Sequence, residues 1–373
     1  MGWKSLNDKN GGAFRHKSGL TGHGKKQKVE PEELYIATSE IVPEDEHSKN
    51  WQQSLESAII ELTFDILMPQ VNFIAILILS RGKCGLSKCI TRYLVAMVVM
   101  DLLVLITEVV LFRISYEFYP GSLLSITPVC SVIAVLTRAS RDSSVWLTIT
   151  FSFDRFVAIC CQNQKTKYCT KETASVVITT TCILLSLKSV AWYFIYEPQE
   201  IINNVPWFCN IKQSYFTEAG WVAFDWFDTI LTPLLPFALI LVLNALTVRH
   251  ILVASLVRKG LRGQSKGENH NDPEMESRRK SVILLFTISG SFIILWLPYV
   301  TEFLYYIIAE TNPLGYNDSL NVFARVGFML QNLSSCTNTF IYGVTQSRFR
   351  EQFKSMVTYP IIVIVKLVNN KNN

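Results

Sequence analysis

The sequence predicts an all-α membrane protein, a bundle of seven transmembrane helices followed by a short amphipathic eighth helix. The first indication is composition, since 49% of the 373 residues are hydrophobic and only 17% are charged, against about 25% charged in an average soluble protein. The second is that apolar segments recur at lengths near or above the roughly 20 residues that cross a bilayer. These segments lack the alternation of barrel strands and the polar face of soluble helices, so they are predicted to be membrane-spanning helices.

The apolar segments divide the chain into three regions. A polar segment, residues 1–54, is predicted to be disordered because it has mixed charge and no hydrophobic periodicity. A transmembrane domain covers residues 55–345, and an amphipathic helix with a tail covers residues 346–373. We number the spans 1 to 7 in chain order, at residues 58–80, 91–114, 128–160, 173–196, 221–256, 281–309 and 319–343.

Basic residues are concentrated in alternate loops. The loop after span 1, residues 81–92, contains four Lys or Arg and no acid, and the loops after spans 3 and 5 are also basic. Because Lys and Arg remain on the cytoplasmic side, we expect a multi-pass plasma-membrane protein with the N-terminus outside and the C-terminus inside. The net charge of +5 then reflects loops beside anionic lipid, and a nucleic-acid partner is not expected.

This orientation leaves two of the nine cysteines on the oxidising side, Cys130 at the start of span 3 and Cys209 between spans 4 and 5. The others lie in or near spans or face the reducing cytosol, where disulfides rarely persist. We expect a Cys130–Cys209 bridge that holds the loop after span 4 over the bundle, with two unpaired thiols as the alternative. The sequon that begins at Asn317 is predicted to be extracellular and glycosylated.

Several spans carry isolated polar residues or prolines among apolar neighbours. Charged groups at membrane depth are costly, so each is a functional candidate. The sequence after span 7, "SRFREQF", has the pattern of a short helix lying along the membrane. The marked positions are Asp101 in span 2, Asp154 and Arg155 at the end of span 3, Trp296 and Pro298 in span 6, and Asn338 and Tyr342 in span 7.

In this order and spacing the motifs resemble the rhodopsin-like (class A) family of G-protein-coupled receptors, over roughly residues 55–357. The loop sequence "PWFCNIK" and the span 3 sequence "SVWLTI" are most similar to the orphan branch thought to sense aromatic amino acids or small peptides. The resemblance implies a receptor that binds a small extracellular ligand, lies among membrane lipids and activates heterotrimeric G proteins.

Some positions depart from the family pattern. Phe156 replaces the Tyr after the Asp-Arg pair, and Leu295 replaces a Cys before Trp296. Thr339 replaces the Pro of span 7, although a Thr can still bend a helix by hydrogen bonding to its own backbone. Thr137 stands where aminergic receptors have an Asp, so an aminergic ligand is not expected.

The resemblance implies a switch at the cytoplasmic end of span 3. Asp154 would hold Arg155 in the resting receptor and release it toward a G-protein helix, with Asn338 and Tyr342 belonging to the same switch. The alternative is an ion pair that only anchors the end of the helix at the lipid headgroups.

By the same resemblance Asp101 is a candidate ligand for an allosteric sodium ion. Carboxylate, hydroxyl and amide oxygens suit a hard cation. A protonated Asp101 satisfied by hydrogen bonds is the alternative, and no other cofactor is expected. The remaining candidates for the site are Ser144, Ser334, Ser335 and Asn338.

Two arginines on successive turns of span 3, Arg138 and Arg141, indicate the ligand site. Arginines within a span need acidic partners or a bound anion. We expect either recognition of a carboxylate, as on an amino acid or peptide terminus, or an internal ion network with no ligand role. The possible acidic partners of the two arginines are Glu108, Asp142 and Glu302. The predicted site comprises Glu108, Thr137, Arg138, Arg141, Trp296, Tyr299, Glu302, Phe328 and Gln331.

Other functional classes fit less well. A transporter of a small anionic solute is the main alternative, but it would show inverted repeats and broken helices, and the sequence has no internal repeat. A channel would show a re-entrant filter segment. The five histidines are scattered and form no catalytic cluster, so an enzyme is not expected.

Overall fold

The computed structural model describes residues 67–114, 122–262, 273–308, 318–356 and 358. Seven long helical segments lie in these ranges, and they correspond to the predicted spans. The expectations for residues 1–54, for Asn317 and for residues 359–373 lie outside the described residues. The helical segments are Leu67–Ser80 for span 1, Lys88–Val104 and Leu105–Ile114 for span 2, Thr127–Cys160 for span 3, Lys171–Ser189 and Val190–Ile195 for span 4, Ala219–Thr229, Ile230–Leu234 and Leu235–Arg262 for span 5, Pro273–Ile308 for span 6, and Asp318–Thr345 for span 7.

Apolarity differs among the spans according to their position in the bundle. Parts of spans 2, 4, 5 and 6 are long and apolar enough to cross a membrane on length and composition alone. Span 3 is long enough, with 34 residues, but it carries several buried polar groups, among them Ser140, Asp142 and Ser152. Span 3 is therefore an interior helix whose polar side chains meet those of other spans.

The outward faces of spans 4 and 5 are apolar. Leu184, Leu187, Val253 and Leu256 are more than half exposed. In water such a surface would be unfavourable, but hydrocarbon chains solvate it without penalty. The protein is a multi-pass helical membrane protein.

Span 3 is the centre of the packing, since it contacts spans 2, 4, 5 and 6. Spans 6 and 7 also pack closely along their length. At Gly327 the approach is so close that an added Cβ would lie 3.1 Å from the backbone nitrogen of Tyr299. A glycine is needed there because any side chain would push the two spans apart.

A disulfide joins Cys130 to Cys209, which confirms the predicted bridge. The end of the bundle that carries it is called the disulfide end below. The loop it holds forms two short antiparallel ladders, and the hydroxyl of Thr127 donates to the carbonyl of Phe208 at 2.7 Å. The strands are β1 Tyr196–Glu197 paired with β4 Asn210–Ile211, and β2 Glu200–Ile202 paired with β3 Val205–Trp207.

The turn between β2 and β3 consists of two asparagines. Asn203 and Asn204 have φ values of 52° and 63°, in the left-handed region that asparagine tolerates better than most residues. The hairpin is thereby closed tightly, and Trp207 of β3 also bridges to Ile126 before span 3. The loop after span 4 is thus anchored on span 3 by both a covalent bond and backbone pairing.

A short helix, residues 347–356, follows span 7 as the amphipathic sequence predicted. Phe349 is buried and its ring meets that of Tyr342 edge-on, with centroids 6.1 Å apart. The guanidinium of Arg350, also in the short helix, donates to the carbonyl of Val344 near the end of span 7 at 2.8 Å. These contacts fix the short helix to the end of span 7.

The expectation for Thr339 is wrong. Its hydroxyl does not bond its own helix but donates to Oδ1 of Asn72 in span 1 at 2.7 Å. The amide of Asn72 in turn donates to the carbonyl of Ser335 at 2.8 Å. The side chain that replaces the usual proline therefore ties span 7 to span 1, because a buried amide must find both a donor and an acceptor.

Candidate functional site

The Asp154–Arg155 pair is formed and buried, with 7% and 5% of the two residues exposed. Nε of Arg155 donates to Oδ2 of Asp154 at 3.0 Å, and Nη2 contacts the same oxygen. A third donor, Nη1, reaches Oγ of Ser281 in span 6 at 3.1 Å. One guanidinium therefore links the ends of spans 3 and 6; we call this end of the bundle the Arg155 end.

Two thiols complete the surroundings of Asp154. Cys89, at the start of span 2, donates to Oδ1 at 3.3 Å, and Cys169, in the loop after span 3, donates to the backbone carbonyl at 3.5 Å. Burial, together with the nearby carboxylate, raises the pKa of Cys169 to about 11, so the thiol keeps its proton at neutral pH. Both carboxylate oxygens of Asp154 are occupied, Oδ1 by Cys89 and Oδ2 by Arg155. Sequence reasoning treated these cysteines only as unpaired thiols and missed this role.

The Asp101 cluster lies deeper in the bundle. The hydroxyl of Ser144 donates to Oδ1 of Asp101, and the amide of Asn338 donates to Oδ2 at 2.9 Å. Of the four residues expected beside Asp101, Ser144 and Asn338 therefore hydrogen bond to its carboxylate. Asp101 is 1% exposed, and no cationic side chain contacts it among the residues the structure describes.

A small cavity of about 20 Å³, room for about one water-sized molecule, lies beside this cluster. Hydroxyl and amide groups line its lower part, and Arg141, Gln331 and Trp296 line the part toward the disulfide end. The buried Oε1 of Gln331 has no hydrogen-bond partner among the described residues, and Gln331 lines the cavity. The polar lining from the predicted sodium site consists of Ser144, Ser334, Ser335 and Asn338.

Asn338 and Tyr342 are not in contact with the Asp154–Arg155 pair. Asn338 belongs to the Asp101 cluster, as described above. The ring of Tyr342 is fully buried against Phe349, and its hydroxyl has no partner within the described part of the chain. Of the four residues predicted to form one switch, Asp154 and Arg155 thus contact each other, whereas Asn338 contacts Asp101 and Tyr342 contacts Phe349.

Toward the disulfide end, Arg141 forms an ion pair with Glu108 of span 2. Both side chains are largely buried. The guanidinium also lies 5.9 Å from the ring of Phe328 in span 7. The predicted partnership of Arg141 with an acid of span 2 is therefore confirmed, and it links spans 2 and 3.

Arg138 is paired with an acid that the sequence reasoning did not consider. Its Nη1 lies 4.0 Å from Oδ2 of Asp228 in span 5, and its guanidinium carbon lies 4.1 Å from the ring centre of Trp192 at the end of span 4. The other oxygen of Asp228 contacts the ammonium of Lys188 in span 4, which also contacts Asp142 of span 3. Asp142 is therefore partnered by a lysine and not by an arginine.

These ion pairs connect four spans. We call the six side chains the buried ion network. Lys188 and Asp228 were missed although each is a charged residue inside an apolar run, the signal that had identified the arginines. The members of the network are Glu108, Arg138, Arg141, Asp142, Lys188 and Asp228.

Aromatic and polar side chains surround the network. Trp296 stacks on Phe292 with centroids 5.1 Å apart and meets Tyr299 edge-on at 6.0 Å. The hydroxyl of Thr137 donates to the carbonyl of Ile133 at 2.9 Å, within its own helix. Glu302 lies within electrostatic range of Tyr299. Trp296, Tyr299 and Phe328 therefore lie near the arginines, whereas the hydroxyl of Thr137 is satisfied within its own helix.

The sequence model of the 7 transmembrane receptor (rhodopsin family) matches residues 71–342, well over half of the chain. The chain belongs to this family. The match extends from within span 1 to Tyr342 of span 7. The family is one of receptors, and the receptor fold is the one described above.

The receptor is also similar to several characterised members of the family, at low identity. It is 23% identical over 227 residues to a G0-coupled rhodopsin of Mizuhopecten yessoensis, 20% over 228 residues to somatostatin receptor type 1 of Rattus norvegicus, and 25% over 240 residues to neuropeptide receptor 22 of Caenorhabditis elegans. The alignments cover 60–61% of this chain and 51–54% of the relatives. The chain thus spans about half the length of the curated relatives it matches, and the narrower likeness to the orphan branch stays a prediction.

Proposed function

We propose that this receptor binds a small extracellular ligand and activates heterotrimeric G proteins in response. The observation that carries the proposal is the arrangement at the Arg155 end, where one buried guanidinium contacts both Asp154 and Ser281. A charge in that position is stable only while its partners remain close. Separation of spans 3 and 6 would break the contact with Ser281 and expose Arg155 to a cytoplasmic partner.

We propose that the Arg155 side chain alternates between two positions. In one, Asp154 and Ser281 hold the side chain inside the bundle; in the other, the side chain extends to a G-protein surface. Ligand shifts the balance between them only if it binds one arrangement more tightly than the other. Span 3 provides the connection, because it carries both the network residues and Arg155.

We place the receptor in the plasma membrane with the disulfide end outside. The basic loops after spans 1, 3 and 5 support this orientation, and so does the disulfide, which forms in oxidising surroundings. An epitope inserted after Glu268 should be stained only after cells are permeabilised. Staining of intact cells would contradict the orientation.

Neutralising Asp154 should raise ligand-free signalling. Asp154→Asn removes the charge that holds Arg155, an effect on the order of 1–3 kcal/mol, which shifts the population several-fold toward the released arrangement. Arg155→Ala should do the opposite, because the G-protein contact is lost. The measurement is basal second-messenger output in transfected cells at matched surface expression.

A matched control is Glu172→Gln, which makes the same charge change at an exposed position at the Arg155 end. It should leave basal output unchanged. If Asp154→Asn and Arg155→Ala both reduce surface expression only, with output per receptor unchanged, the pair is a structural anchor and the switch is refuted.

The ligand class we propose is an amino acid or peptide-like molecule that carries a carboxylate. Arg138 supports it: the side chain is 24% exposed, the largest value in the buried ion network, and its planar donors match a carboxylate. Trp296, Tyr299 and Phe328 provide apolar walls. Arg141 contributes less directly, because Glu108 already neutralises it.

We also propose that the Asp101 cluster holds a sodium ion. A single buried carboxylate without a cationic partner, beside a cavity lined by hydroxyls and an amide, is a suitable donor set for a hard cation. The sodium ion would supply the positive charge that none of the described side chains provides to Asp101. Asp101, Ser144 and Asn338 would hold it, with Ser334 and Ser335 beside them.

Sodium should stabilise the purified receptor through Asp101. In detergent, the melting temperature should rise with NaCl more than with KCl at equal ionic strength, since binding to the folded state alone stabilises it. Asp101→Asn should remove the difference between the two salts, whereas the control Asp225→Asn should retain it. A sodium-specific rise that persists in Asp101→Asn would show that the ion binds elsewhere.

A further inference from the structure

Spans 1 and 7 are joined by two buried polar side chains, Asn72 and Thr339, which are 1% and 3% exposed. The hydroxyl of Thr339 donates to Oδ1 of Asn72 at 2.7 Å, and the amide of Asn72 donates to the carbonyl of Ser335 at 2.8 Å. Ser335 lies one helical turn before Thr339, so Asn72 bonds to two successive turns of span 7. Because these groups are buried, neither bond can be exchanged for one to water unless the two spans separate.

Asn338, the residue before Thr339, holds span 7 to a different neighbour. Its amide donates to Oδ2 of Asp101 in span 2 at 2.9 Å. Adjacent residues of a helix point about 100° apart, so these two side chains reach different neighbours from the same level of span 7. Span 7 is thus tied to span 1 by Thr339 and to span 2 by Asn338.

Span 7 is also packed against span 6, the helix that carries Ser281 and that must leave span 3 when Arg155 is released. At Gly327 the backbones of spans 6 and 7 approach so closely that a side chain would force them apart. Separation of spans 3 and 6 therefore requires span 6 either to slide along span 7 or to pull span 7 with it. The ties of span 7 to spans 1 and 2 oppose the second of these movements.

We propose that Thr339 is a positioning residue for signalling: through Asn72 it holds span 7, and with it span 6, in the resting arrangement. This restraint rests on the proposed function, because it acts on the same contact between Arg155 and Ser281. A proline at position 339, as in the family pattern, has no hydroxyl with which to reach Asn72. A receptor with that proline could not form the bond, so the restraint depends on the residue that this chain has instead.

Removal of this one hydroxyl should raise ligand-free signalling. Thr339→Val keeps the branched shape of the side chain but deletes the donor to Asn72. Basal second-messenger output per surface receptor should rise roughly 2- to 10-fold, as for the loss of one buried hydrogen bond from the resting arrangement. Thr339→Ser retains the hydroxyl and should keep the output near that of the wild type.

The matched control is Thr337→Val, the same change in the same span. The hydroxyl of Thr337 donates to the carbonyl of Leu333 at 2.8 Å, within its own helix, so its loss should leave basal output unchanged. Asn72→Ala removes the acceptor of Thr339, and addition of Thr339→Val to Asn72→Ala should cause no further rise. A further rise would show that Thr339 acts through another partner and would overturn the proposal.

A second measurement does not depend on a G protein. Hydrogen–deuterium exchange of the purified receptor in detergent is followed at residues 279–285 of span 6, around Ser281. Exchange there should be several-fold faster in Thr339→Val than in the wild type, Thr339→Ser or Thr337→Val, because a less restrained span 6 opens more often.

The outcomes separate this restraint from the proposed function. Unchanged basal output in Thr339→Val, in an assay where Asp154→Asn raises it, would overturn the restraint while G-protein activation stands. Equal rises in Thr339→Val and Thr337→Val would also overturn it, since the loss of any hydroxyl from span 7 would then suffice. If no variant signals, Asp154→Asn included, the proposed function fails and the exchange rates decide: faster exchange in Thr339→Val supports the restraint, and equal exchange overturns it.

Discussion

Charged side chains inside this helical bundle need an opposite charge or hydrogen bonds close by. Transfer of an unpaired ion from water into such an interior costs many kcal/mol, and only close partners offset that cost. The described spans satisfy this constraint at both ends. Arg155 lies against Asp154, while Arg141 and Lys188 lie against acids from spans 2, 3 and 5.

The constraint makes span 3 the organising helix. It carries members of the ion network near the disulfide end, Ser144 at the Asp101 cluster, and Arg155 at the opposite end. Because hydrogen bonds require close and oriented contact, each of these groups favours one rotation of span 3 against its neighbour. Under the proposed function, a movement of span 3 at one end would change its contacts at the other end.

The two ends differ in how fully their charges are satisfied. Asp154 is surrounded by Arg155 and by the thiols of Cys89 and Cys169, so the pair is held firmly. Arg138, by contrast, approaches Asp228 without a hydrogen bond. The loosest ion pair among the described residues thus lies at the end proposed to receive ligand.

Sequence reasoning predicted the spans because these depend on local pattern, and the disulfide because the orientation leaves two cysteines on the oxidising side; the residues beside Asp101 came from the family resemblance. It listed Glu108, Asp142 and Glu302 as possible acids for the two arginines but could not assign them, since the partner of a buried charge depends on the rotation of neighbouring helices. The sequences of spans 4 and 5 do not show how these helices are rotated in the bundle, so Lys188 and Asp228 were missed. Thr339 was misassigned for the same reason: its acceptor, Asn72, lies far away in sequence.

The account depends most on mutual neutralisation within the network, and a double-mutant cycle on Glu108 and Arg141 tests it directly. Glu108→Gln and Arg141→Gln should each destabilise the purified receptor by about 3–5 kcal/mol, because each leaves an unpaired buried charge. The double substitution removes both charges and should cost clearly less than either single one. Melting temperatures in detergent give the comparison. Additive losses would mean that the two residues are stabilised separately, and the account of the network would then be wrong.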